Sequence, residues 1–441
     1  MKLQSFPNSK SFYSQAGAYP NQRSTLHKLV VLFFSFYVAL TPLDDFLGVP
    51  GTGRTILYFL GMSIVVLMGM EALARGYILR PRKAVWTLLA WLIFAFISTL
   101  WAQDPERGLE KCVTLAGLYF IYFFTSIYPW RPNDFRVLRR MTITVGVIAS
   151  LAGIVLYYSG ISYFNTGRAS LFITPERRVD PNEFAVNLLL PSVFLMHSIF
   201  HTSGIKRIAA ICVFGIIFLM IILTGSRGGI FQVIITLLWY LNLIRSRSRF
   251  SSVVGITLVL CGLLLLGIQI LPPQVSGRLG IMSILQDQGT GRFTVWRMGL
   301  EALKDRPLFG YGWYNFPIAY DQYSAIFWPK NYRGRFLGWH RSAHNLYLQT
   351  LVELGIVGFG MLMCAIWSHF REIQGLVAKK DPLAPQISAI LIAMLASGLT
   401  LEVATSKSFW ATFGLVQIAV NISRTTSKAF QRYNYGYKIG T

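Results

Sequence analysis

Apolar runs dominate the chain. Twelve of them lie near residues 29–43, 55–74, 84–101, 112–128, 141–159, 184–201, 208–224, 228–244, 252–271, 344–368, 385–403 and 408–423. A helix needs roughly 20 consecutive apolar residues to span the ~30 Å hydrocarbon core of a bilayer. The polar stretches between the runs are short, with one exception at residues 272–343. This pattern predicts an all-α polytopic membrane protein of about 12 transmembrane helices, with one long loop carrying short amphipathic helices. Residues 1–28 and 424–441 read as polar tails, 29–271 as transmembrane helices 1–9, and 344–423 as transmembrane helices 10–12. The polar start has no small-residue cleavage site after a short apolar core, so a cleavable signal peptide is not expected. No internal repeat is visible, which weighs against a transporter built from inverted halves.

Composition agrees with an apolar solvent. Only 13% of residues are charged, against about 25% in a soluble protein, and mean hydropathy is +0.49. The net charge of +23 would suit nucleic acid, but Lys and Arg sit in short clusters between apolar runs and form no basic face, so no nucleic-acid partner is expected. Their distribution orients the chain. With the first tail inside, 24 of the 41 Lys and Arg fall on cytoplasmic segments, among them Arg75 to Lys83, Arg131 to Arg140 and Arg245 to Arg249. Eight fall on short outer loops and nine on 272–343. The positive-inside rule then puts both tails in the cytoplasm and the long loop outside. Cys112, Cys212, Cys261 and Cys364 lie in or beside apolar runs without a C-x-x-C pair, and read as packing residues.

Candidate chemistry collects on the outer side. A loop as long as 272–343 is functional or disordered as a rule, and its Trp, Tyr and Phe content argues against disorder. Thr290 to Arg297 opens an amphipathic helix, with Phe293, Trp296, Leu300 and Leu303 at helical spacing and Arg297, Glu301 and Lys304 elsewhere on the wheel. Such a helix suits the membrane surface, with Arg292 at its positively polarised start. Gly310-Tyr311-Gly312 reads as a turn rather than a phosphate cradle. His340 and His344 are four apart, as in a helical metal pair, but no carboxylate or thiol nearby completes a ligand set, so neither metal nor cofactor is expected. Arg227 lies in the tight turn Thr224-Gly225-Ser226-Arg227-Gly228-Gly229. It either snorkels to the interface or serves a bound anion beside free backbone N–H groups. Residues 160–183 add Arg168, Arg177 and Arg178, then Asp180-Pro181-Asn182-Glu183, which reads as a helix start. Glu353 and Glu402 are placed to buttress an arginine.

The outer face therefore gathers Arg168, Arg178, Arg227, Arg292 and His344 from separate segments. Guanidinium groups bind phosphate oxygens bidentately and stay charged. Histidine can accept a proton from a hydroxyl. That combination suits attack by a hydroxyl acceptor on a lipid-linked diphosphate donor, with fixed positive charge at the leaving group. The chain has no Asp-x-Asp pair, so arginines would take the place of a carboxylate-bound metal.

At these residues the chain resembles the O-antigen ligase and polysaccharide polymerase superfamily. The resemblance rests on Asp180-Pro181-Asn182, Ser226-Arg227-Gly228-Gly229, Gly291-Arg292 with Trp296, Pro307 to Gly312 with Phe316, and His344-Asn345 running into Glu353-Leu354-Gly355. It covers roughly residues 160–423. It implies a glycosyltransferase of the cytoplasmic membrane that needs no metal and takes glycan from an undecaprenyl diphosphate carrier, making 272–343 the outer catalytic loop. By motif, Arg227 and Arg292 engage the diphosphate and His344 is the base. Arg168, Arg178, His340 and Asn345 are assigned to substrate binding, His340 competing with His344 for the base role. The partners implied are the lipid-linked donor, a glycan or lipid acceptor, and the bilayer. Ligase-type transfer is favoured over polymerisation. A lipid-linked glycan flippase is the alternative from another class, opposed by the gathering of unusual residues on one side.

Overall fold

A computed structural model describes residues 24–161, 163–164, 167–174, 177–244, 273–279, 291–328 and 341–438. Eleven of the twelve apolar runs coincide with helices, and the run at 252–271 lies outside the described residues, as does His340. In chain order the first helices are α1 (Thr25–Ala39), α2 (Ile56–Arg75), α3 (Lys83–Ile97), α4 (Pro105–Ile127) and α5 (Pro132–Tyr158). Then come α6 (Pro181–Asn187) running on into α7 (Leu189–His201), α8 (Ile205–Leu223) and α9 (Arg227–Leu243). The long loop contributes α10 (Pro273–Leu279), α11 (Arg292–Asp305) and α12 (Phe316–Phe327), and the chain ends with α13 (Leu346–Ala378), α14 (Ala384–Ser397) and α15 (Lys407–Lys438).

Among the described residues, six helical stretches are long and apolar enough to cross a membrane: Ile56–Arg75, Lys83–Trp101, Pro132–Tyr158, Pro181–His201, Ile205–Leu223 and Leu346–Ala378. Several carry exposed apolar stripes at helical spacing, such as Met62, Val66, Met70 and Leu73 on α2 and Ile148, Leu151 and Val155 on α5. Stripes of this kind belong against lipid rather than water. The opposite faces pack into one continuous core that includes Trp91, Trp130, Tyr122 and Phe194.

Starts and stops follow local chemistry. Asp104, Asp180, Ser226 and Asn345 each accept backbone N–H groups at the first turn of α4, α6, α9 and α13. Pro105, Pro132 and Pro181 occupy first helical positions. Gly76, left-handed at φ 69°, ends α2. The segment between α5 and α6, expected to be loop, also holds two antiparallel hairpins: β3 (Tyr163–Phe164) with β4 (Arg168–Ala169), and β5 (Phe172–Thr174) with β6 (Arg177–Arg178). A third pairs β1 (Gly48–Val49) with β2 (Arg54–Thr55).

The helix ends form two groups. At one end Arg82 pairs with Glu372 at 2.9 Å and Asn421 donates to the carbonyl of Ser126 at 2.7 Å. There too His27 meets Asp134 at 3.1 Å in a buried network with Tyr128, Glu71 and Arg75. At the other end Lys407 pairs with Asp44, Asn315 Oδ1 accepts from the backbone of Asp104 at 2.8 Å, and the N–H of Leu346 donates to Gly398 at 2.7 Å. Arg227, Arg292 and His344 all belong to this second end.

α13 is broken near its start. Gly355 takes φ 65° and ψ −171° inside the helix, which frees backbone groups on both sides. The 307–312 strand of chain satisfies them: Tyr311 and Gly312 donate to the carbonyls of Val352 (3.0 Å) and Glu353 (2.8 Å), while Ile356 and Val357 donate to Pro307 (2.9 Å) and Leu308 (3.2 Å). Glycine is required at both crossing points. A Cβ on Gly355 would lie 2.2 Å from the Leu308 carbonyl oxygen, and one on Gly310 2.4 Å from that of Val352. The Gly310-Tyr311-Gly312 turn is thus a clasp on a broken helix.

Candidate functional site

Arg227 is the first residue of α9, half-buried, after a left-handed Gly225 at φ 60°. Ser226 Oγ accepts the N–H of Gly229 at 3.2 Å and Thr224 Oγ1 accepts the N–H of Ser226 at 3.2 Å, which sets the direction of the turn. The glycine pair lets neighbours close in. A Cβ on Gly228 would lie 2.8 Å from Thr400 Oγ1, and one on Gly229 2.8 Å from Ala185 Cβ of α6. Arg168, only 5% exposed, clamps the same turn: Nε donates to the Thr224 carbonyl at 2.7 Å and a terminal nitrogen to Asn182 Oδ1 at 2.8 Å. Asn182 is held in turn by the Asp180 cap at 2.7 Å. Arg168, the Asp180-Pro181-Asn182 start of α6 and the 224–229 turn meet here.

His344 sits just before α13 at φ 47°, a left-handed conformation uncommon outside glycine. Asn345 caps the helix, its Oδ1 accepting from Tyr347 and Leu348 at 3.0 Å each, and its Nδ2 reaches the Leu399 carbonyl at 3.3 Å. On the other side, Trp296 Nε1 of α11 donates to the Ala343 carbonyl at 2.9 Å, and the Ala343 N–H donates to Gln349 Oε1 at 3.1 Å. Gln349 donates to Glu353 at 3.0 Å, and the Glu353 carboxylate accepts from the N–H groups of Tyr314 (2.9 Å) and Phe316 (3.1 Å). One polar chain therefore fixes the His344 loop, the break in α13 and the start of α12. The 398–401 turn carries the link to Arg227, since it touches both Asn345 and Gly228.

The His344 environment opposes protonation. Burial comes first, and the Arg292 and Arg341 charges add to it against a smaller pull from Asp180; together they push the imidazole down to about 4. A ring neutral at ordinary pH keeps a lone pair for a proton, and cations that depress it mark a place where an anion is welcome. Arg292 opens α11 after Gly291, whose left-handed backbone lies against the Trp328 ring. Arg341 lies beside Tyr320.

Among the residues named from sequence, Arg227, Arg292 and His344 belong to this one region. Arg168 and Asn345, expected on substrate, are engaged with the backbone of the site. Arg178 is in β6 opposite Phe172. Glu353 supports backbone N–H groups where an arginine partner was expected, and Glu402 accepts from Ala404 N–H at 3.0 Å. On α11 the apolar face divides: Val295, Met298, Gly299 and Ala302 pack inward, while Phe293 (60%) and Leu300 (51%) are exposed, as a membrane-surface face requires. Arg341 and Gln349 were missed. The signal for Gln349 was present, since Gln349 and Glu353 are the i, i+4 polar pair of an apolar run.

Fold and site together define a polytopic helical membrane protein whose helix ends converge on a neutral histidine among arginines. Residues 212–363, which contain Arg227, Arg292, His344 and Asn345, match the family model described as O-Antigen ligase. It is similar to the exopolysaccharide production protein ExoQ of Rhizobium meliloti (strain 1021), at 23% identity over 67% of each chain. It is also similar to a protein of Rickettsia felis (strain ATCC VR-1525 / URRWXCal2) named "Putative polysaccharide ligase", at 23% identity over 66% of this chain and 69% of that one.

Proposed function

We propose that the protein is a bacterial membrane glycosyltransferase of O-antigen ligase type, moving a glycan from an undecaprenyl diphosphate carrier to a hydroxyl acceptor in cell-surface polysaccharide biosynthesis. The observation that carries this reading is the neutral His344 pressed by Arg292 and Arg341 and linked through the 398–401 turn to Arg227. The acceptor oxygen attacks the anomeric carbon as the bond from that carbon to the diphosphate oxygen breaks. His344 takes the hydroxyl proton, and Arg227 and Arg292 hold the leaving diphosphate in bidentate contacts. One displacement inverts the anomeric centre. Arg168 and Asn345 act as positioning residues. The crowding of Lys and Arg at the opposite helix ends supports a cytoplasmic-membrane protein of about 12 spans, both termini cytoplasmic, with 272–343 as an outer catalytic loop. A second reading is a polysaccharide polymerase that uses the same donor machinery, and the similarity to a protein named for exopolysaccharide production supports an exopolysaccharide as its product.

The test is glycan transfer in a deletion strain complemented with wild type, His344→Ala, Arg227→Ala or His340→Ala at equal membrane abundance. His344→Ala is expected to lower product formation by about 10²–10⁴, the usual contribution of a general base. Arg227→Ala is expected to lose product too, with donor accumulating on the outer leaflet. Product joined to lipid core marks a ligase, and longer lipid-linked glycan a polymerase. Normal transfer by both variants, or donor trapped on the inner leaflet, sinks the transferase reading.

A further inference from the structure

A cavity of ≈ 300 Å³ opens at the same end of the molecule, walled by the turn after α1, the start of α6, Tyr314 and the 401–408 segment. That size is at the lower end of the ~300–1,000 Å³ usual for small-molecule pockets. Its walls carry Asp44, Asp45, Glu183 and Glu402 against a single lysine, Lys407. Two of these carboxylates are engaged within the protein: Asp44 with Lys407 and with Thr55 Oγ1 at 2.6 Å, and Glu402 with Ala404 and Thr405. The side chains of Asp45 and Glu183 have no hydrogen bond or ion pair among the described residues, and Glu183 is exposed into the cavity.

The cavity adjoins the His344 site through shared elements. Leu401 forms part of its wall, and the Leu401 carbonyl accepts the N–H of Leu346, two residues beyond His344, at 3.1 Å. Glu183 stands one turn along α6 from the Asp180 cap, whose charge acts on both His344 and Asp45. Tyr314 joins the cavity wall to the polar chain through Glu353. The two compartments have opposite character. Arginines surround the histidine, while carboxyl groups line the cavity. A carboxyl oxygen accepts a hydroxyl proton whether or not the group is ionised, and burial with the neighbouring Asp44 charge already opposes negative charge on Asp45, so a ligand rich in hydroxyls satisfies these groups while an acidic one adds to the repulsion.

We propose that this cavity is a sugar subsite of the transfer site, in which Asp45 and Glu183 accept hydrogen bonds from the hydroxyls of an uncharged sugar ring and acidic sugars are turned away. The inference rests on the transferase reading and adds to it the class of sugar held beside the base.

The test uses the full chain in nanodiscs and ligand-observed saturation-transfer NMR. The probes are glucose, galactose, mannose and rhamnose, set against glucuronate and galacturonate. At least one neutral sugar is expected to bind and both uronates to fail. Asp45→Asn with Glu183→Gln, a near-isosteric pair checked for a monodisperse fold, is expected to weaken that binding about tenfold or more. Binding of the uronates, silence from every neutral sugar, or undiminished binding by the double variant overturns the proposal. Lipid-linked donor that co-purifies with the double variant at the wild-type level makes the ring part of the acceptor, and its loss makes it the donor sugar. Arg227→Ala separates the two claims, because it should keep the sugar signal while losing transfer. If it keeps both, the transferase reading fails and the sugar site stands.

Discussion

His344 shows how much of a residue's chemistry is set by its neighbours. Its type and its place before an apolar run were legible in the sequence, together with Arg227 and Arg292. Its protonation state was not, because that depends on burial and on how closely two guanidinium charges approach, that of Arg292 from the distant α11 and that of Arg341 from its own segment. The pH dependence follows with a definite sign. A base works in its neutral form, so activity is lost as pH falls through the folded pKa; the acid limb of kcat/KM is expected at about 4, well below the ordinary 6.5. Removing a neighbouring cation stabilises the protonated ring and raises its pKa. Arg292→Gln should therefore move the limb upward, and Arg341→Gln should do so by less, whatever either does to the maximal rate. A pH–rate profile whose limb stays in place or moves downward in both variants would rule out this account of the base. Arg168 and Asn345 make the converse point. Charge and position suggested ligands, yet their partners, such as the Thr224 carbonyl 56 residues from Arg168, appear only in three dimensions.

Among the elements, the broken α13 has the sharpest consequences. Pro307 to Gly312 and Glu353-Leu354-Gly355 were recognisable as motifs, but not as two halves of one joint. Gly355→Ala and Gly310→Ala place a Cβ against backbone at positive φ. Strain of about 1–3 kcal/mol from the backbone alone is then added to the clash, so membrane abundance and the melting temperature in detergent should both fall. Gly360→Ala on the same helix meets nothing within 4 Å and is expected to leave stability unchanged or raised by up to about 1 kcal/mol. Equal behaviour of Gly355→Ala and Gly360→Ala would refute the joint. α11 illustrates a different limit. Periodicity identified the helix, but with apolar residues on both flanks it did not say which flank meets the bundle. The small Gly299 settles that by allowing close approach to Phe316 and Leu348, with Ala302 buried in the same cluster.

At the scale of the molecule, the two groups of helix ends differ in what they hold. One has the clustered Lys and Arg and a buried His27, Glu71 and Asp134 network; the other has the candidate site and the cavity. An impermeant maleimide should label Glu106→Cys in intact spheroplasts, and Lys379→Cys only after permeabilisation, in a background with the native cysteines replaced. Both positions are exposed and stand at opposite ends. The reversed pattern would invert the proposed orientation and put the site in the cytoplasm.

Run length, charge between runs and the capping residues are local properties, and they were enough for the helices, the membrane class and the motif residues. Each reports the solvent or the hydrogen bonds of its own few residues, so no distant partner is needed to read it. The site belongs to the tertiary structure. Asp44 meets Lys407, Arg168 meets Thr224, Trp296 meets Ala343 and Asn345 meets Leu399 across long stretches of chain, and contacts of this kind bring a histidine, its arginines and an acidic cavity to one end of the bundle. Which side chains hold the backbone and which are left facing a ligand is decided by that packing, because a polar group's role is set by the partner it finds when water is excluded.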